Sequence, residues 1–197
     1  MTFRLGLTGS IGMGKSTTAA MFADEGCPVW DADAAVHRLY SQGGAAVALM
    51  ERAFPDVVRE GVVCREALKQ IIRRDPGALH KIEAIVHPLV AQDRQVFIDA
   101  QTAPITVLDI PLLFETGAER YLDATVVVST TPEEQQARVM ARGTMDAGQL
   151  KAIIQKQLPD AEKRTRADYV IETDSLDHAR SQVRDVLGYI KRTRLHA

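Results

Sequence analysis

The chain has 197 residues with 24 Lys plus Arg against 26 Asp plus Glu, a formal net charge of −2, and that near-balance argues against a dedicated nucleic-acid binder, which carries a basic excess or stripe. With 46% hydrophobic, 25% charged and 5% aromatic residues, the composition is that of an ordinary globular protein with an aliphatic core, not a disordered chain. At this length roughly 70% of the unfolded surface can be buried without covalent staples.

The N-terminus enters a β-type run at once, residues 3–8, with no long apolar region of the kind a signal peptide carries. A glycine-rich turn, 9–16, follows, and then a helical pattern over 16–23. A second strand is predicted at 28–31. The next strands, 105–110, 124–129 and 168–172, are apolar nearly throughout, as in Thr125-Val126-Val127-Val128. Strands of that kind are buried on both faces, which implies a parallel sheet covered by helices. After the last strand, Leu176, Ala179, Val183, Val186, Leu187 and Ile190 recur at spacings of three and four, predicting an amphipathic helix. Strand and helix alternate, so the fold class is three-layer α/β with a five-stranded parallel sheet.

Residues 32–104 are too long for a single crossover. They read mainly as helices, with breaks at Gly43-Gly44, Phe54-Pro55-Asp56, Glu60-Gly61, Asp75-Pro76-Gly77 and His87-Pro88, where glycine and proline interrupt or start helices. This stretch is a helical insertion. A second connection, 131–166, carries Arg138, Arg142, Lys151, Lys156, Lys163, Arg164 and Arg166 and reads as a cationic lid. No apolar run approaches the ~18 residues of a membrane span. Cys27 and Cys64 form no framework and no Cys/His cluster, which points to the reducing cytoplasm.

Gly9-Ser10-Ile11-Gly12-Met13-Gly14-Lys15-Ser16 fits G-x-x-x-x-G-K-[ST] at every fixed position. Glycines let successive backbone N–H groups converge on phosphate oxygens, and the following helix adds its N-terminal dipole. Lys15 then serves the β- and γ-phosphates and the Ser16 hydroxyl a Mg²⁺ ion. Asp109, an acid ending a strand, is placed to hold Mg²⁺ as well, directly or through water, although it also suits a turn before Pro111. The chain contains no asparagine, so an Asn-Lys-x-Asp guanine-reading motif is impossible and ATP is the expected nucleotide. Asp31 and Asp33 leave the second strand, expected beside the phosphate loop. One suits a helix cap and one, Asp33, the base that accepts a proton from an acceptor hydroxyl.

Beyond that loop, Gly6-Leu7-Thr8 before it and Thr17 after it, Asp31-Ala32-Asp33, Ile85-Val86-His87-Pro88-Leu89, Asp109-Ile110-Pro111-Leu112-Leu113-Phe114-Glu115 and Arg166-Ala167-Asp168-Tyr169-Val170-Ile171 stand in the order of a known family. From residue 6 to about 172 the chain resembles the dephospho-CoA kinases. The resemblance implies a P-loop kinase of the nucleoside-monophosphate-kinase type that moves the γ-phosphate of ATP to the ribose 3′-hydroxyl of dephospho-CoA. It implies a core of 1–31, 105–130 and 167–197, an acceptor-binding insertion at 32–104 and a lid at 131–166. Asp33 and Lys15 are then catalytic. Gly9, Gly12, Met13, Gly14, Lys15, Ser16, Thr17 and Arg142 bind nucleotide; Asp33, His87, Leu113 and Glu115 bind the acceptor; Ser16 and Asp109 serve Mg²⁺. No nucleic-acid or membrane partner is implied.

Ser10 stands where the family usually has glycine, Met13 where it has serine, and Trp30 is bulkier than the usual aliphatic residue. His87 also suits a helix cap or a packing role, Arg138 and Arg142 a solvated helix face, and Trp30 the core. His37, His80, His178 and His196 receive no role. Two rivals stand beside this reading: a shikimate- or gluconate-type kinase, which the long insertion and Pro-Leu-Leu-Phe-Glu disfavour, and an ATP-hydrolysing switch.

Overall fold

The computed structural model describes residues 2–194; Met1, Leu195, His196 and Ala197 lie outside the described residues. The chain forms two compact units, Met1–Trp30 with Gln101–Ala197, and Asp31–Ala100.

The first unit is built on five parallel strands: β1 (Phe3–Thr8), β2 (Val29–Asp31), and, beyond the insertion, Ile105–Asp109, Ala124–Ser129 and Tyr169–Glu172. The insertion holds two short strands of its own, β3 (Val58–Arg59) and β4 (Val62–Val63), so the later three are β5, β6 and β7. The order across the sheet is β2-β5-β1-β6-β7. Chain order runs inward from edge β2 to β5 on one side of central β1 and outward from β6 to β7 on the other, and the carboxyl end of such a central strand is where open α/β sheets bind ligands. β5 therefore intervenes between β1 and β2, and the second strand is not the immediate neighbour of the strand that feeds the phosphate loop. Pro28 falls just outside β2, yet its carbonyl accepts from the Val107 N–H at 2.9 Å.

Alternation along β1 assigns the two faces. Leu5 and Leu7 join Val126 and Val128 against α1 (Lys15–Asp24), in one fully buried cluster with Met21 and Phe22. Burying each such side chain contributes roughly 1.5–3 kcal/mol. Gly6 faces the other way, where a Cβ would lie 2.3 Å from Leu122 and 2.8 Å from Leu113. Only glycine lets the 111–122 segment pack that closely.

The second unit holds α2 (Ala32–Tyr40), α3 (Val47–Ala53), the β3–β4 hairpin, α4 (Arg65–Arg74) and α5 (Gly77–Asp99) around Leu39, Tyr40, Met50, Val57, Leu68, Ile82 and Val86. Two expected breaks resolve differently from the sequence reading. Glu60-Gly61 is a hairpin turn with both residues at positive φ, 51° and 74°, the backbone that suits the twist of a two-residue hairpin loop. His87-Pro88 is no break: α5 continues through Pro88. Proline removes one helical hydrogen bond, but Ile82, Ile85, Val86, Leu89 and Val90 pack into the same cluster from both sides of it.

The first unit closes with α6 (Pro132–Ala141), α7 (Ala147–Ile154), α8 (Asp160–Arg166) and α9 (Leu176–Arg194). Thr131 caps α6 by accepting from the Glu134 N–H at 3.2 Å, and Asp146 with Gln149 forms a reciprocal capping box on α7. α9 buries Ala179, Val183, Val186, Leu187 and Ile190, joining α1 in the same cluster. Leu176, expected in that stripe, is 67% exposed in the first turn. Among the described residues no helix is long and apolar enough to cross a membrane.

Candidate active site

The loop between β1 and α1 has its tightest approaches at glycines. A Cβ on Gly9 would lie 2.3 Å from the Val128 side chain, and Gly14 sits at φ 90° against Thr173. Gly14 is also the N-terminal boundary of α1, with no side-chain cap, and the first intrahelical bond runs from the Thr18 N–H to its carbonyl at 3.0 Å. The amides of Lys15, Ser16 and Thr17 thus open the helix without intrahelical acceptors, in the arrangement that binds anions. Ser16 and Thr17 are exposed. Met13 contributes differently: its side chain is buried, its N–H is taken by the Ser10 carbonyl at 3.2 Å, and its sulfur faces the Thr130 N–H at 3.3 Å.

Parallel pairing sets Asp109 of β5 opposite Leu7 of β1. The Asp109 side chain is 3% exposed and pairs with the Lys15 ammonium. Serine hydroxyl and carboxylate are hard oxygen donors of the kind Mg²⁺ takes, and Mg²⁺ at phosphate sites uses one or two such groups beside the phosphates. Among the described residues there is no group of three or more His, Cys, Asp or Glu able to hold a metal by itself.

A cavity of about 250 Å³ opens beside the loop, lined by Gly14, Thr17, Arg138, Arg142, Thr173 and Ser175 among others. Arg142 is exposed on its wall, whereas Arg138 is spent internally, donating to Glu134 at 2.9 Å and to the Thr173 hydroxyl at 2.9 Å. At the rim, hydrogen bonds from His178 and the Ser175 N–H hold the Asp174 carboxyl below its ordinary range.

The segment after β5 departs from its sequence reading. Leu113, expected at the acceptor site, is fully buried against Gly6 and has no surface to offer a ligand; Leu112 beside it is 42% exposed. Glu115 is engaged within the protein, accepting from the Leu158 N–H at 2.9 Å and pairing at 2.9 Å with Lys163. Lys163, counted among the lid cations, is fully buried. Burial alone would raise the Glu115 carboxyl, but the bonds from Lys163 and Leu158 outweigh it and hold the group below its usual range. Arg166 lies 4.7 Å over the Phe114 ring and pairs with Glu119.

In the second unit, Asp31 is the cap of α2, accepting from the Ala34 N–H at 2.8 Å. Asp33 lies in the first turn with an exposed carboxylate. His87 is exposed within α5, neither a cap nor a packing residue. Trp30 is 2% exposed and belongs to the core.

No motif marked Gln135 or Thr173, yet both touch the loop: Gln135 donates to the Ile11 carbonyl at 2.7 Å and Thr173 to the Met13 carbonyl at 2.9 Å. For Gln135 a signal existed. It lies four residues before Val139, on the buried face of α6.

A G-x-x-x-x-G-K-S loop leaving the central strand of a parallel sheet, with a buried acid on the neighbouring strand, defines the class of P-loop nucleotide-binding proteins. Residues 3–178 match the family described as Dephospho-CoA kinase, and the chain belongs to that family. It is 65% identical over 197 residues, 100% of both chains, to a dephospho-CoA kinase of Ruegeria pomeroyi. Among solved structures it is similar to a Thermus thermophilus protein (TM-score 0.86, 36% identity, 96% of this chain and 98% of that one). It is also similar to a dephospho-CoA kinase from Campylobacter jejuni (TM-score 0.72, 25% identity, 98% of each chain). The chain is a transferase, and its reaction is the ATP-dependent phosphorylation of dephospho-CoA that ends coenzyme A biosynthesis.

Proposed function

We propose that residues 9–16 cradle the phosphates of ATP, that the nucleoside occupies the neighbouring cavity beside Arg142, and that the γ-phosphoryl group passes to the ribose 3′-hydroxyl of dephospho-CoA. The observation that carries this reading is the Lys15–Asp109 pair at the mouth of a helix start whose amides have no capping side chain. Lys15 exchanges its carboxylate partner for β- and γ-phosphate oxygens and stabilises charge on the transferring group. Ser16 and Asp109 are the residues that would hold Mg²⁺, which supplies further charge neutralisation at those phosphates when bound.

In the transfer the 3′-oxygen forms a bond to the γ-phosphorus, the bond to the ADP oxygen breaks, and the hydroxyl proton passes to Asp33. With the capping role taken by Asp31, the Asp33 carboxylate is left exposed for that task. We assign 32–104 to acceptor binding, with His87 on its surface, and 131–166 to closure over the nucleotide, which excludes water from the reaction. In the 112–115 segment exposed Leu112 takes the contact role, Leu113 being core. Free Cys27 and Cys64 suit action in the cytoplasm. ³¹P and proton NMR of the product tests the assignment: phosphate on the ribose 3′-oxygen supports it, and phosphate at any other hydroxyl overturns it.

A further inference from the structure

A phosphate loop works only if its peptide N–H groups point inward, and nothing in a glycine-rich backbone enforces that orientation. Each peptide unit is planar and trans, so its N–H points opposite to its carbonyl, and no cis peptide occurs among the described residues. Fixing a carbonyl on the outside of the loop therefore aims the paired N–H at the inside. Two carbonyls of this loop are held in that way by side chains from elsewhere in the first unit. Gln135 of α6, 5% exposed, donates from Nε2 to the Ile11 carbonyl at 2.7 Å. Thr173, 7% exposed, follows β7 and donates from Oγ1 to the Met13 carbonyl at 2.9 Å.

The partner N–H groups are those of Gly12, at a variable position of the motif, and Gly14, its second fixed glycine. Contact distances support the same picture from the other side of each peptide. A Cβ on Gly12 would lie 3.0 Å from the Gln135 carbonyl and 2.7 Å from Val139, and one on Gly14 would lie 3.1 Å from the Thr173 hydroxyl. The loop is therefore packed closely against both holders. Arg138, three residues after Gln135 on α6, fixes the second holder: it donates to the Thr173 hydroxyl at 2.9 Å and to the Thr173 carbonyl. With a lone pair taken by Arg138, the Thr173 hydroxyl directs its own hydrogen to Met13, the nearer acceptor, rather than to the Ser129 carbonyl at 3.3 Å.

We infer that Gln135 and Thr173 are positioning residues for phosphoryl transfer: they hold the Ile11 and Met13 carbonyls outward so that the Gly12 and Gly14 amides face the phosphates, and Arg138 locks the second of these contacts. The inference rests on reading 9–16 as the phosphate site. It makes α6, the root of the 131–166 region, part of the phosphate cradle.

Thr173→Val removes the hydroxyl at nearly constant shape, Thr173→Ser restores it, and Gln135→Leu removes the other donor. Binding of ATP, inorganic tripolyphosphate and adenosine is titrated for each, alongside the KM for ATP. Thr173→Val and Gln135→Leu should weaken ATP and tripolyphosphate tenfold or more, and Thr173→Ser should stay within threefold of the wild type throughout. Adenosine should stay within twofold in Gln135→Leu, because Thr173 lines the nucleoside cavity and Gln135 does not. A merely structural loss would weaken adenosine in step with ATP in Gln135→Leu, and that result, or ATP and tripolyphosphate held within twofold in both variants, overturns the inference. Where Thr173→Val is too unstable to titrate, Gln135→Leu decides by the same criteria. Lys15→Ala is the control for the underlying reading. If it loses tripolyphosphate while Gln135→Leu does not, only the positioning role fails; if it keeps tripolyphosphate, the phosphate-site reading fails first.

Discussion

Lys15 and Asp109 are ion-paired where β1 and β5 lie side by side, the Asp109 side chain 3% exposed and the Lys15 side chain 17% exposed. Lys15 is therefore already ordered against a buried acid, and removing it alone takes a charged partner from a carboxylate in a low-dielectric setting. Lys15→Met should lower turnover by roughly 10²–10³, the usual effect of losing one preorganised charge stabiliser, and cost on the order of 3 kcal/mol of stability. Adding Asp109→Asn should return much of the stability and none of the turnover. Urea unfolding and steady-state kinetics on the single and double variants check this; stability that falls further in the double variant contradicts it.

The Glu115–Lys163 pair gives a pH signature. Glu115 has its folded-state pKa lowered by Lys163 and the Leu158 N–H against the opposing effect of burial. A depressed carboxyl contributes stability that is fully present above its unfolded value and lost as pH falls through the folded one. Glu115→Gln should thus be less stable than wild type at pH 7, with the gap narrowing below the ordinary carboxyl value of 4.5. Lys163→Met, which strands the carboxylate beside a fully buried position, should cost about 3–5 kcal/mol at neutral pH. Denaturant midpoints between pH 7 and pH 3 decide, and a gap independent of pH rules the pair out as its source.

Asp31 and Asp33 separate by role. Asp31→Ala should remove the α2 cap at a cost of about 1 kcal/mol, while Asp31→Asn keeps the cap and most of the activity. Asp33→Asn keeps shape and loses the basic oxygen, so turnover should fall by roughly 10²–10³ with nucleotide affinity and thermal stability nearly unchanged. The lower part of the general-base range applies because a loose phosphoryl-transfer transition state asks little of its nucleophile. Kinetics showing a collapse in Asp31→Asn and normal turnover in Asp33→Asn would reverse the two assignments.

Leu113 offers a cleaner test of a corrected residue. As a fully buried side chain, Leu113→Ala should cost about 2–5 kcal/mol and leave the acceptor KM within about twofold below the unfolding transition. Loss of acceptor affinity without loss of stability would return Leu113 to the acceptor site.

Local pattern carried much of this molecule. Continuous apolar runs such as 124–129 announced buried parallel strands, and the loop motif and Asp109 stand at the carboxyl ends of neighbouring strands, as their sequence positions implied. What escaped depends on tertiary partners. Lys163 reads as one more surface cation until Glu115 is brought to it from forty-eight residues away in the chain (163 against 115). Pro88 reads as a helix break until apolar residues on both sides of it enter one cluster. Val58–Arg59 and Val62–Val63 are too short to show a strand period, so only their Glu60-Gly61 turn was visible. Gln135 and Thr173 belong to no motif because their partners are backbone carbonyls, which any sequence supplies.

The most direct test of the whole account is ADP formation by the purified chain with ATP and Mg²⁺, measured with and without dephospho-CoA. A kinase closed against water makes little ADP until its acceptor is present, then one ADP for each acceptor phosphorylated. ADP should appear in step with added dephospho-CoA and not with shikimate or gluconate. Steady ADP release that dephospho-CoA leaves unchanged would contradict it, and would describe a nucleotide-hydrolysing switch instead.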